Sequence, residues 1–297
     1  MENLFKKLPF LDSTLKGISQ IMLQENTLTG ILFLVGIFLG SWQMGVGAIV
    51  ATASGTLTAK LLKYDENQIQ QGLYGFSAAL VGVALTFLFQ ATWLIWVLVV
   101  IGGSIAAIIQ HFFIIKKIPV FTLPFILVTW ICVFLLHKYT QIGASDVLTS
   151  APPLDDLDDF STSTNGFGEV IFQGGFLSGL IIFVAVFINS PIAALYGLLA
   201  SLLGASLSHH YGEAPESVHL GLFSFNLVLS AIVFAGIKKI DGVWVLISVL
   251  ITWGLDIAMV DTGILDAFGG VFTFPFVAGT WLTLILQKFI PIAKTEK

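Results

Sequence analysis

Residues 72–77 read Gly-Leu-Tyr-Gly-Phe-Ser, and residues 221–226, which begin 149 positions later, read Gly-Leu-Phe-Ser-Phe-Asn. A second block, Val-Phe-Thr-Leu-Pro-Phe at residues 120–125, returns as Val-Phe-Thr-Phe-Pro-Phe at residues 271–276. Both blocks recur in the same order and at nearly the same spacing. The sequence therefore predicts two copies of one structural unit.

The sequence around these blocks is too apolar for a water-soluble domain. Of 297 residues, 56% are hydrophobic and 10% are charged, whereas soluble domains carry about 25% charged residues. A helix needs about 20 apolar residues to span a bilayer. We therefore predict an all-α polytopic membrane protein with about ten transmembrane helices, in two inverted repeats of five, each with a re-entrant half-helix. The ten apolar segments are 27–44, 45–63, 75–91, 93–115, 124–137, 176–190, 191–208, 223–237, 242–260 and 274–291.

The lysines predict how these segments cross the membrane, because cytoplasmic loops collect positive charge. If the N-terminus is inside, ten crossings place every lysine but Lys138 on the cytoplasmic side. Five crossings in each copy then make the two copies inverted relative to each other. We expect a multi-pass protein of the cell inner membrane with both termini cytoplasmic. Residues 1–20 have no uninterrupted apolar core, so no cleavable signal peptide is expected.

A polar stretch at 141–165 separates the two copies. It holds two prolines and five aspartates, which is typical of a linker. We predict that residues 1–148 form the first inverted repeat with its N-terminal segment. Residues 149–297 then contain the polar linker, the second repeat and the C-terminal tail.

Several function classes are disfavoured by composition. The net charge of −5 offers no basic patch for nucleic acid. Cys132 is the sole cysteine, which excludes a disulfide framework, and the pair His209 and His210 lacks further ligands at metal-binding spacing. There is no nucleotide-binding glycine motif. We expect no cofactor, no metal and no enzymatic activity.

Each repeated block offers a residue with two possible roles. Thr122 and Thr273 precede prolines that favour a helix start, so their hydroxyls either cap the helix or line a pore. Phe76 and Phe225 follow short polar segments, 65–71 and 213–219, which we interpret as re-entrant helices; the two rings are either core residues or part of a pore.

Two further polar positions recur at the 149-residue offset. Gln20 and Glu169 each follow a glycine by three residues and each provide a side-chain oxygen acceptor. Glu169 is either a solvated helix end or a functional acceptor. Asp256, by contrast, is expected to lie near the wet outer end of its helix.

These residues resemble the urea transporter family. The family signature Leu-Pro-x-x-Thr-x-Pro-Phe is similar to residues 118–125, with Ile118 in place of the leucine. Its Thr, Pro and Phe recur at 273, 275 and 276. Residues 72–77 and 221–226 also look like family blocks, although the asparagine usual after the first Phe is Ser77 here.

The resemblance implies a homotrimer in a lipid bilayer, each protomer holding a pore between inverted halves that conducts urea passively. By analogy Thr122 and Thr273 mark the pore centre, and Gln20 and Glu169 belong to a row of oxygen acceptors. Apolar residues would line or flank the narrow slot: Phe76, Leu80, Phe225, Leu229, Leu23 and Phe172.

Three other functions stay open at this point. A channel for ammonia or short amides is the nearest alternative, although no histidine lies deep within a repeated block. A secondary active transporter would couple transport to an ion gradient. An intramembrane hydrolase would need a nucleophile such as Ser224 together with a nearby base.

Overall fold

The computed structural model describes residues 7–149 and 159–290. Regular structure in these ranges is helical apart from one isolated bridge between Phe89 and Ala144. The chain forms two compact units. Among the described residues, one comprises residues 7–149, Ile171–Gln173 and Ala267–Gly269, and the other comprises residues 159–170, Gly174–Asp266 and residues 270–290.

The same succession of helices occurs twice along the chain. The first series is α1 Pro9–Ser19, α2 Thr27–Gly40, α3 Trp42–Leu61, α4 Glu66–Gln70, α5 Phe76–Leu88, α6 Trp93–Ile115, α7 Leu123–Tyr139 and the short α8 Asp146–Thr149. The second is α9 Asp159–Glu169, α10 Phe176–Asn189, α11 Pro191–Tyr211, α12 Pro215–His219, α13 Phe225–Phe234, α14 Lys239–Thr262 and α15 Phe274–Phe289. Helices α10 to α13 begin 149 residues after α2 to α5.

The helices agree with a membrane protein in length and composition. In the described residues, α3, α6, α11 and α14 are long and apolar enough to cross a bilayer. Helix α1 with its following turn, Pro9–Met22, and α2 pass the same test as a pair bent by 73°. Helices α5, α7, α10 and α13 are apolar but shorter. The number of ten crossings remains a prediction.

Two sequence predictions of boundaries are wrong. The first apolar segment was expected to end at residue 44, but α2 ends at Gly40, and Ser41 adopts an extended conformation and caps α3 through Met44 N (3.5 Å). The predicted linker 141–165 overlaps α9, which begins at Asp159. Residues 150–158 of that linker lie outside the described residues.

Small polar side chains give α9 the composition of a linker although it is a helix. Ser161, Ser163, Thr164 and Asn165 are buried, although their composition is typical of a loop. The Thr164 hydroxyl donates to carbonyls of its own helix, Phe160 O (3.2 Å) and Ser161 O (3.0 Å). Such local bonds let hydroxyl residues sit inside a helix without an outside partner.

A short, deeply buried helix lies at the centre of each unit. Helix α5 is buried at every position from Phe76 to Thr86, and it packs against α3, α6 and α7. Helix α13 packs in the same way against α11, α14 and α15. Glycines allow the backbones to approach closely: a Cβ placed on Gly82 would lie 2.2 Å from Gly47 O. Such small-residue contacts are typical of helices in membranes.

Similarly close backbone contacts hold α1 and α9 against the turns before α5 and α13. Gly72 has φ 78°, and a Cβ on it would lie 2.4 Å from Gly17 N. Its counterpart Gly221 has φ 85°, and a Cβ there would lie 2.7 Å from Gly166 N. Both positions therefore require glycine for two reasons, the left-handed backbone and the lack of space.

We predict that Gly72→Ala and Gly221→Ala each lower the free energy of unfolding by at least about 1–2 kcal/mol, the cost of a left-handed conformation for an L-residue. Thermal unfolding of the purified protein in detergent measures this. Gly254→Ala is the control, because a Cβ on this α14 glycine meets no atom within 4 Å. Equal melting temperatures for all three variants would contradict the prediction.

Candidate functional site

The glycine contact in the first unit brings Gln20 to the end of α4. Gln20 begins the 3-10 turn that follows α1, and its Nε2 donates to Gln71 O at 2.9 Å. This bond uses the nitrogen side of the amide and leaves Oε1 as a hydrogen-bond acceptor. The predicted acceptor is thus held in place by a backbone carbonyl.

Glu169 occupies the matching place in the second unit, as the last residue of α9. A Cβ on Gly174 would lie 2.9 Å from Glu169 Oε1 and 3.4 Å from a methyl group of Leu220, the counterpart of Gln71. An ionised carboxylate accepts hydrogen bonds but donates none, so it cannot make the bond that Gln20 makes. Among the described residues the ion pair found is Asp12–Lys16 (3.0 Å), and no lysine pairs with Glu169 there.

Leu23 and Phe172 lie just beyond these acceptors, and both have left-handed backbones, with φ of 58° and 59°. Left-handed conformations are uncommon for residues other than glycine. The Leu23 side chain is 41% exposed. The Phe172 ring packs in the first unit against Phe87 (centroids 5.2 Å apart) and Phe125 (6.3 Å). Aromatic neighbours thus hold Phe172, whereas the exposed Leu23 offers an open apolar face.

The two threonines begin α7 and α15 in the same way. Thr122 and Thr273 are the N-cap residues, and both side chains are buried. Neither hydroxyl makes a capping hydrogen bond to its helix. The residues before them, Phe121 and Phe272, are left-handed, with φ of 49° and 47°. Of the two roles predicted for these hydroxyls, the helix cap is therefore not observed.

The predicted aromatic pair lies at the start of the central helices. Phe76 is the first residue of α5 and is buried, whereas Phe225, the first residue of α13, is half-buried. Leu80 and Leu229, one turn further along, are completely buried. The preceding helices α4 and α12 have five residues each. Their re-entrant character remains a prediction.

Asp256 corrects another prediction. It was expected near the wet end of α14, but the structure buries it completely. Asn226 Nδ2 donates to Asp256 Oδ1 at 3.3 Å, and Oδ2 has no hydrogen-bond partner in the described residues. Sequence analysis missed this pair because its members lie 30 residues apart. The signal that could have found it is Asn226 in a block where the first copy has Ser77.

Potential metal ligands are scattered in the described part of the chain. No group of three or more His, Cys, Asp or Glu residues is close enough there to hold a metal ion. His219 is buried instead against α9, where its Nδ1 lies 2.8 Å from the Thr162 hydroxyl and its carbonyl accepts from Asn165 Nδ2 at 2.8 Å.

The sequence pattern of the family described as "Urea transporter" matches residues 11–288. The chain belongs to the urea transporter family. It is similar to urea transporter 1 of Mus musculus (28% identical over 248 residues) and of Capra hircus (27% over 248 residues). Each match covers 77% of this chain and 64% of the relative. Family membership and the apolar helices together make the chain a multi-pass membrane protein, as predicted.

Proposed function

We propose that this member of the urea transporter family is a channel and not an enzyme, and that it conducts urea passively across the membrane. The observation that carries the proposal is the family match over residues 11–288, which includes every residue of the candidate site. The curated relatives it resembles are named urea transporters.

The chemistry of urea fits the two acceptors. Urea is planar and neutral, with four N–H donors and one carbonyl acceptor. Taking polar groups out of water costs several kcal/mol unless their hydrogen bonds are replaced. The amide oxygen of Gln20 and the carboxylate of Glu169 would each accept from urea N–H groups. Acceptors that bind weakly and in sequence also allow rapid release, as conduction requires.

Apolar side chains would complete a narrow slot. Phe76 and Leu80 lie one turn apart on α5, as do Phe225 and Leu229 on α13, and residues at this spacing share a helix face. Flat aromatic and aliphatic surfaces suit the faces of a planar solute and offer nothing to a hydrated ion. Leu23 and Phe172 would flank the slot as apolar plates, and the Thr122 and Thr273 hydroxyls would lie at its centre.

The finer architecture belongs to the same proposal. The lysine distribution supports an inner-membrane protein with ten crossings, inverted repeats within 1–148 and 149–297, and both termini in the cytoplasm. The family resemblance supports a homotrimer. No cofactor enters the proposed mechanism, since a neutral solute that moves down its own gradient needs no chemical coupling.

We predict that labelled urea equilibrates across proteoliposomes and stops at equal concentrations inside and outside. The proposed path offers acceptors but a single carboxylate, Glu169, and therefore no relay for protons. Isotope uptake with and without a protonophore measures this. Accumulation above the external concentration that the protonophore abolishes would contradict passive transport and favour a proton-coupled transporter.

We also predict that Glu169→Gln keeps substantial urea flux, because the first unit has an amide, Gln20, at the matching position. Glu169→Leu should lose most of it, since a missing hydrogen-bond partner costs about 1–3 kcal/mol. Flux per folded protein, measured by stopped-flow light scattering, compares the two. If Glu169→Gln were as inactive as Glu169→Leu, the charge would be required and a cationic substrate favoured.

Neighbouring glycines provide a second test of the same carboxylate. A methyl group on Gly174 would displace the flexible end of Glu169, so Gly174→Ala should reduce urea flux with little change in melting temperature. Gly175→Ala is the matched control, because a Cβ there meets no atom within 4 Å. Equal flux in the two variants would show that the position of the Glu169 carboxylate is unimportant.

A further inference from the structure

The side-chain amide of Asn226 bridges the two sides of the turn that holds Thr273. Asn226 is completely buried at the start of α13. Its Nδ2 donates to Phe272 O at 3.1 Å, and its Oδ1 accepts from Phe276 N at 3.3 Å. One side chain therefore binds the residue before Thr273 and the residue three positions after it.

Both backbone groups, Phe272 O and Phe276 N, lie at the start of α15, where the helix itself provides no hydrogen bond for them. Phe276 lies in the first turn of α15, where N–H groups have no helical acceptor. Phe272 lies before the helix, in a left-handed conformation with φ of 47°. Such a conformation persists where the surroundings hold it. The Asn226 amide supplies a bond on each side of Thr273.

Asp256 favours the amide orientation that the bridge needs. The Asn226 nitrogen faces two oxygens, Phe272 O and Asp256 Oδ1, while its oxygen faces the N–H of Phe276. Rotating the amide by half a turn would place its oxygen beside Phe272 O and Asp256 Oδ1, and its nitrogen beside the N–H of Phe276. Neither arrangement forms a hydrogen bond. The buried carboxyl of Asp256 therefore favours the orientation that binds the turn.

The first unit has no equivalent bridge at the same sequence position. Ser77 follows Phe76 as Asn226 follows Phe225, but its single hydroxyl is too short to bridge two backbone groups that lie four residues apart. Ser77 Oγ is buried and has no hydrogen-bond partner in the described residues. The two threonine turns share their backbone conformation but differ in this support.

We propose that Asn226 is a positioning residue: it fixes the turn around Thr273, with Asp256 orienting its amide, and so sets where the Thr273 hydroxyl lies. This inference rests on the proposed function only in its consequence for urea flux. All residues of the bridge belong to one unit. The bridge can therefore be tested by hydrogen exchange, without a transport measurement.

The transport test is a double-mutant cycle on urea flux per folded protein. Asn226→Ser, which copies the first unit, should lower flux by roughly two- to tenfold for each hydrogen bond to the turn that the serine fails to make. In a Thr273→Val background it should have no further effect, whereas in a Thr122→Val background its effect should persist. Equal effects in both backgrounds would overturn the assignment to Thr273.

Hydrogen exchange tests the bridge without transport. In Asn226→Ser, the peptide 271–280 should exchange faster than in the wild type, while peptide 120–129 should not change. Asp256→Asn retains an oxygen acceptor and should preserve protection of 271–280, whereas Asp256→Leu should lose it. Unchanged exchange in Asn226→Ser would overturn the bridge. A wild type that conducts no urea would refute the proposed function and leave the exchange result to decide the bridge.

Discussion

Two contacts between glycine backbones position the functional groups of this protein. Gly72 meets Gly17, and Gly221 meets Gly166, at distances that exclude a Cβ atom. Each contact holds the end of α1 or α9 against the turn before a central apolar helix. The acceptors Gln20 and Glu169 follow three residues after Gly17 and Gly166, so their positions depend on how closely these backbones approach.

The two units share this backbone design but differ in how polar side chains support it. In the first unit Gln20 binds the Gln71 carbonyl at 2.9 Å. In the second, Glu169 cannot donate such a bond when ionised, and Asn165 instead donates to the carbonyl of His219 at 2.8 Å. Asn226 adds a bridge at the second threonine turn. The acceptor and threonine positions are thus matched in backbone geometry and distinct in chemistry.

The sequence could predict those features of the fold that follow from its repeated blocks. The repeated blocks indicated two copies of one unit, and the structure contains the same helix order twice. Helices α1 and α9 escaped prediction because their serines and threonines are typical of loops, whereas the structure has the hydroxyls of Thr14 and Thr164 bonded to carbonyls of their own helices. The wet position expected for Asp256 was wrong because its partner Asn226 comes from another helix. Left-handed conformations at Leu23, Phe121, Phe172 and Phe272 had no signal, since these residue types do not favour them.

The central claim is tested most directly by the urea permeability of proteoliposomes, measured by stopped-flow light scattering. The permeability to methylamine is measured in the same vesicles as the alternative substrate. The account predicts urea permeability well above that of protein-free vesicles and no protein-dependent methylamine flux, because the site offers acceptors to a neutral planar donor. Urea permeability equal to that of protein-free vesicles, or rapid methylamine flux in its place, would contradict it.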